Sequence, residues 1–298
     1  MTSQGLVLCI VYLSIHFQRC EPAQRPTFES LKKIEYHFSS DPIDVVILSA
    51  PKDLCTLEYC IAAIKKYGKH LRRFIVVSKQ PMSQMAEWFS EENFPFSKNE
   101  IALEIFQGQQ DEAEAFLAAP NTRINWIFQQ LLKFYAPFVI PGLSPNVLIL
   151  DSDVIFLKKV RFISEKGEPF FIPGKERHPP YFEHAARLLP GLYRVKPTLS
   201  GVAHHMLFQK CVLEDLFSLI EQRHQTDVWR AICRCIDRKE IYGSCMSEYE
   251  IYFNFIQLRS SRFKVQISKW KEIGSLDLLE HYRKMDYAFI ACPHWLRG

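Results

Sequence analysis

Asn146-Val147-Leu148-Ile149-Leu150-Asp151-Ser152-Asp153-Val154-Ile155-Phe156 decides how the rest of the chain is read. Four apolar residues in succession, rich in branched side chains, run straight into two aspartates one residue apart. Such a run predicts a strand covered on both faces, as in a parallel sheet, rather than one with a wet face. The aspartates then stand at its carboxyl end, where open α/β sheets place their ligands. A buried carboxylate needs a partner or a metal. Hard oxygen donors suit Mg²⁺ or Mn²⁺, and such a cation is the natural carrier of a phosphorylated ligand. The plainer alternative is a pair of solvated aspartates in the turn after a core strand.

Upstream, Ile43-Asp44-Val45-Val46-Ile47-Leu48-Ser49 predicts a buried strand and Ala50-Pro51-Lys52-Asp53 a break. Residues 56–67 carry Leu57, Cys60, Ile61 and Ile64 at helical spacing, and Arg73–Ser78 predicts a second strand. Strand, helix and strand in that order make a βαβ unit with a right-handed crossover and parallel pairing. Ile101–Phe106 predicts a third strand. Asn121 or Thr122 is placed to cap a helix from Arg123 to about Tyr135, with Ile124, Ile127, Leu131 and Tyr135 on one face. Downstream, Phe170–Ile172 predicts a short strand, and His178–His184 an aromatic loop leading into a short helix. Leu199–Phe208 predicts a strand followed by a helix to about Gln222. Ser247 is a candidate cap for a helix beginning in Met246–Phe255, and Tyr287–Cys292 a closing strand. The alternation predicts one α/β domain over residues 41–298, Rossmann-like, with a mostly parallel central sheet flanked by helices.

Composition narrows the classes. The balance of 37 basic and 33 acidic residues, +4, is too weak and too scattered to argue for nucleic acid, though it suits a phosphate-bearing small substrate. The nine cysteines show no disulfide framework. Cys55 and Cys60 fall on one expected helix. Cys233, Cys235 and Cys245 with His224 are the best zinc candidates but lack a paired C-x-x-C, so reduced core thiols are the preferred reading. Residues 1–20 hold an apolar run, Gly5–Ile15, of signal-peptide length, with no Lys or Arg ahead of it and no small-residue cleavage site. It is too short to span a bilayer. The expectation is a cytoplasmic protein with a membrane-touching leader, secretion through residues 1–20 being the alternative, and a lead-in over residues 21–40.

A strand ending in D-x-D has two well-known settings. Haloacid-dehalogenase-like phosphohydrolases use it as nucleophile and general acid, but need a later acidic cluster for magnesium. Here Glu214-Asp215 falls in an expected helix and Asp277 stands alone. From about Ile43 onward the chain resembles glycosyltransferases of the GT-A fold, in which D-x-D follows a nucleotide-binding βαβ half. It resembles more closely an uncharacterised bacterial family of that fold. The residues that carry this are Asp44–Ile47, Gln129–Pro137, Leu150–Asp153, His178–His184, Ser200–Met206 and Ser247–Asn254.

The resemblance implies a single GT-A-like domain and transfer of a sugar from a nucleotide-diphosphate sugar to a glycan, lipid or protein acceptor, with Mn²⁺ or Mg²⁺ as cofactor. A non-catalytic nucleotide- or carbohydrate-binding protein of the same fold is the alternative. It implies metal ligation by Asp151 and Asp153, with His294 completing the shell. Ser49, Ala50, Pro51, Lys133, Asp151 and Ser152 are then placed around the nucleotide. Ser200, Gly201, His205, His178 and Tyr181 fall on the acceptor side, with His184 beside them. Glu248, opening a late helix, is the candidate base for the acceptor hydroxyl, and Glu250 the fallback. A glutamate there also favours the helix dipole without any catalytic role.

Overall fold

Runs of branched apolar residues without polar alternation build the central sheet. The structure, a computed structural model, describes residues 31–297. β1 (Ile43–Leu48) pairs in parallel with β2 (Leu71–Ser78) on one side and β4 (Asn146–Asp151) on the other. β3 (Glu87–Ser90) extends the sheet in parallel beyond β2, and β7 (His205–Gln209) closes it antiparallel to β4. The order β3-β2-β1-β4-β7 reverses direction between β1 and β4. That junction is the crevice in which open α/β sheets bind ligands. Leu48 stands opposite Asp151 there, so the ends of the two strands meet at the crevice.

Strand alternation divides the interior into two cores. Val46, Leu48, Val147, Ile149, Met206 and Phe208 face a larger core. It is formed by α2 (Lys98–Ile105), α3 (Gln110–Ala118), α4 (Ile124–Val139), α5 (Pro179–Leu188), α6 (Lys210–His224), α7 (Val228–Arg234) and α8 (Glu248–Arg259). Ile43, Val45, Ile47, Leu148, Leu150 and Leu207 face a second core under α1 (Leu54–Tyr67). A small sheet packs there too, with β5 (Val154–Phe156) and β9 (Trp270–Glu272) on either side of β10 (Phe289–Ala291). β6 (Phe170–Phe171) and β8 (Lys264–Val265) pair in parallel as a separate two-stranded ribbon. The outcome is a mixed α/β domain of Rossmann-like form with a mostly parallel sheet, as expected.

Three elements differ from expectation. Residues 179–184, expected as a loop, are the first turns of the helix Pro179–Leu188. Residues 101–106 are not a strand but lie largely within α2. The Ser97 hydroxyl accepts from the Glu100 N–H, and the Glu100 carboxylate accepts from the Ser97 N–H. This reciprocal cap fixes a helix start, and Ile101, Ala102 and Ile105 then share its buried face. The strand expected over 199–208 is shorter, because His204 has φ 60° and pairing as a strand begins at His205. Ser247 caps α8 as expected, accepting from the Glu250 N–H. The N-cap of α4 is Arg123 rather than Asn121 or Thr122 and makes no side-chain cap bond, although Thr122 Oγ1 accepts from the Ile124 N–H. Among the described residues no helix is long and apolar enough to cross a membrane, and the leader over residues 1–20 lies outside them.

At the opposite end of β1, Asp44 is fully buried and completely satisfied. It accepts from Arg72 Nε at 2.8 Å, the Arg73 N–H at 3.1 Å and the Ser144 N–H at 2.7 Å. Burial alone would raise its pKa, but these donors hold it below the usual range. The carboxylate thus joins β1, β2 and the turn before β4, and its contribution is present at neutral pH and lost as pH falls through the acid range. Asp44→Ala orphans two backbone donors and is expected to cost about 3 kcal/mol, read as a lower urea midpoint at unchanged m-value.

Candidate functional site

Alternation along β4 sends Leu150 into the α1 core and Asp151 to the opposite face, where α4 and α8 pack. Lys133 of α4 meets it there. Its Nζ lies 2.7 Å from Asp151 Oδ1 and 2.9 Å from Glu248 Oε1, the first residue of α8. The lysine is 4% exposed and Glu248 0%. Burial would lower the Lys133 pKa, but the two carboxylates more than offset this and raise it, so it is a fixed cation. Tyr249 adds its hydroxyl, 3.3 Å from Asp151 Oδ1, and its ring, 4.3 Å below the ammonium.

His204 approaches Asp151 from the other side. Its carbonyl accepts the Asp151 N–H at 2.9 Å, and its Nδ1 lies 3.5 Å from Asp151 Oδ2. Its Nε2 lies 3.1 Å from Glu272 Oε1, at the end of β9. Burial would lower its pKa, but Asp151 and Glu272 raise it to about 10. Asp151 itself is held well below the usual range: burial pushes it up, and Lys133 and His204 overcome that.

Asp153 has no such help. It is 8% exposed, and its Oδ1 is buried with no hydrogen-bond partner among the described residues. Burial pushes its pKa up to about 6, and Asp151 adds to this while His204 opposes it. Ligand atoms of Asp151, Asp153 and His204 all lie within 4.8 Å of one another. With Glu248 and Glu272 ionised, the neighbourhood holds four carboxylates against Lys133 and His204. A divalent cation that displaces the proton from His204 Nδ1 would supply the missing positive charge, and it would meet an O, O, N donor set.

The cluster opens onto a cleft of about 2240 Å³ across the β1/β4 junction. Ser49, Ala50, Pro51, Lys133, Asp151, Ser152, Asp153, Glu248 and Tyr181 all border it. Lys52, Lys79, Lys98 and Arg123 border it as well, and the Ser49 hydroxyl is buried without a partner.

Other expectations are corrected. His294 borders the cleft but is not one of the clustered ligands; its Nε2 lies 3.3 Å from Lys52 Nζ. Of the adjacent histidines the site receives His204, not His205. His205 begins β7 on the α1 side, edge-on to Phe156, Phe162 and Phe289, with Nδ1 bonded to the Ala203 carbonyl. Ser200, Gly201 and His178 do not border the cleft. Ser200 donates to Glu250, which is thereby structural, and His178 Nε2 donates to the Ser244 carbonyl. Gly201 is a packing requirement, since a Cβ there would lie 2.4 Å from the Tyr249 carbonyl oxygen. His184 is a buried core residue bonded through Nε2 to the Ile232 carbonyl. Cys60, Cys233, Cys235, Cys245 and Cys292 are buried free thiols, and His224 spends its Nε2 on the Leu188 carbonyl.

A family model spans residues 28–279. The chain belongs to DUF6492, a family of unknown function. No curated protein matches it. The DUF6492 span contains Lys133, Asp151, Asp153, His204, Glu248 and Glu272, and ends before His294.

Removing the lysine ammonium leaves Glu248 uncompensated and Asp151 with only His204 and Tyr249. Lys133→Met is therefore expected to cost about 3–5 kcal/mol in denaturant unfolding, and Lys133→Met with Glu248→Gln to recover part of it. His184 supplies a pH test: burial pushes it down to about 4 from 6.5, so its unfolded form takes up a proton first. Stability present above the unfolded value is lost as pH falls. Between about pH 6.5 and 4.5 the protein should lose about 2–3 kcal/mol more than His184→Gln does.

Proposed function

We propose that this protein is a metal-dependent glycosyltransferase that takes its sugar from a nucleoside-diphosphate sugar. The observation that carries the reading is the unpartnered, buried Asp153 Oδ1 beside Asp151 and His204, at the switch point of a sheet built from a βαβ unit. Asp153, His204 and Asp151 would hold the cation. When bound, it would offset the charge that develops on the leaving diphosphate.

The residues around the cluster support complementary roles. Ser49, Ala50 and Pro51, at the end of β1, offer an unpaired hydroxyl and backbone groups to the nucleoside. Lys79, Lys98 and Arg123 border the same cleft and favour an anion in it. Lys133 is committed to Asp151 and Glu248, so it orients the two carboxylates rather than reaching for phosphate. Glu248 has a second oxygen without a donor and a pKa raised by burial. Those properties suit a base that removes the acceptor hydroxyl's proton as the sugar carbon is attacked.

Calorimetric titration with UDP and with GDP, each with and without Mn²⁺, tests the donor site. Binding of one nucleotide that requires Mn²⁺, and is lost in Asp153→Ala, is the expected result. Failure of both to bind the folded protein would overturn the reading. Binding without turnover of any nucleotide sugar would instead favour a non-catalytic binding protein. Metal-dependent hydrolysis of a simple phosphate ester, abolished by Asp151→Asn, would favour the phosphohydrolase.

A further inference from the structure

His204 has two ring nitrogens with different surroundings, and the small sheet fixes which one is free. Nε2 faces Glu272 Oε1 at 3.1 Å, while Nδ1 faces the aspartates, 3.5 Å from Asp151 Oδ2. A carboxylate on one imidazole nitrogen selects the tautomer protonated there and leaves the other lone pair available to a metal.

The position of Glu272 is set by the same sheet that sets Asp153. Ala291 of β10 pairs with Val154 on one side and Glu272 on the other, so the three form one row. Asp153 immediately precedes Val154, and its carbonyl accepts the Cys292 N–H at 2.9 Å. The Ile273 N–H donates to the Ala291 carbonyl at 2.8 Å, which fixes the other end of the row. Trp270, two residues before Glu272, packs flat on Phe289 and meets the His204 ring edge-on, with centroids 5.4 Å apart. The ring is therefore held by a carboxylate at one nitrogen and an indole at its side.

We propose that Glu272 is a positioning residue that fixes the His204 ring with Nε2–H donated to it and Nδ1 presented, beside Asp151 and Asp153, to a divalent cation. This rests on the metal reading of the cluster and adds the member that the sequence did not reveal. Glu272 does not touch the cation; it acts through His204.

The test uses Mn²⁺ alone, followed by electron paramagnetic resonance on the full chain, without nucleotide. Mn²⁺ bound to the unmodified protein should show nitrogen modulation from one imidazole in spin-echo spectra, absent in His204→Ala. Glu272→Gln should weaken Mn²⁺ binding about 10–100-fold while the metal-free protein keeps its circular dichroism spectrum. Glu272→Asp, which keeps the charge but draws it away from Nε2, should fall between the two and supplies the same comparison if the glutamine variant folds poorly. Unchanged affinity in both variants, with the nitrogen signal intact, would overturn the role of Glu272 and leave the metal site standing. Mn²⁺ binding without nitrogen modulation would also overturn it, because the imidazole would then not be a ligand. No Mn²⁺ binding by the unmodified protein would overturn the metal reading and this inference together.

Discussion

Lys133 carries a full charge to a place that water barely reaches, and the site is arranged around the consequence. A buried ammonium is tolerable only if carboxylates meet it at short range. Asp151 and Glu248 do so from β4 and from the start of α8, while the lysine comes from α4. Three elements far apart in sequence are thereby bound to one another by charge. Tyr249 closes the remaining side with its ring and hydroxyl. Exposed ion pairs of this kind would contribute little; here burial makes the loss of any one member expensive.

The sheet decides which residues can join that arrangement. Strand alternation turns Asp151 toward α4 and α8, and the same rule turns His205 away, into the aromatic packing of the α1 core. His204 escapes the rule because its backbone is left-handed, at φ 60°. That conformation is uncommon outside glycine, although histidine tolerates it better than most residues. It lets the carbonyl pair with the Asp151 N–H while the ring still reaches between Asp151 and Glu272. Backbone strain tends to gather where function demands a particular side-chain placement, and here it falls on a member of the candidate metal cluster.

The parts of this molecule governed by local pattern could be read from sequence. The buried β1 and β4 runs, the βαβ unit, the Ser247 cap and the position of D-x-D at a strand end all follow from periodicity and capping chemistry, and the structure contains them. Residues 101–106 read as a strand because a short apolar run fits a strand or a helix equally, and the deciding signal lies just outside it, at Ser97 and Glu100. The site was partly legible. Asp151, Asp153, Lys133 and Glu248 stand within recognisable motifs, while Tyr249, beside Glu248, carries no signal of its own. Choosing between His204 and His205 needed a backbone angle that no spacing rule supplies. Glu272 lies in Trp270-Lys271-Glu272, a stretch with no chemical signature, and reaches His204 only through the register of a three-stranded sheet.

The contrast between Asp44 and Asp153 separates structure from function within one fold. Both are buried aspartates beside parallel strands of the same layered domain. Asp44 receives donors from Arg72, Arg73 and Ser144 and spends its charge on holding strands together. Five buried side-chain atoms elsewhere among the described residues, Gln209 Oε1 and Gln257 Oε1 among them, also lack a partner. At the crevice end of β1, however, Asp153 is left with an oxygen that nothing in the described chain satisfies, and Glu248 Oε2, Ser49 Oγ and Arg123 Nε share that condition. All four border one cleft, at the one junction where the strand order reverses. A chain that satisfies a buried carboxylate so fully at one end of β1 has the means to do so at the other. Leaving those groups open costs stability unless something arrives to complete them, and the donors on offer are oxygen, imidazole and guanidinium. Those groups fit a divalent cation and a phosphate.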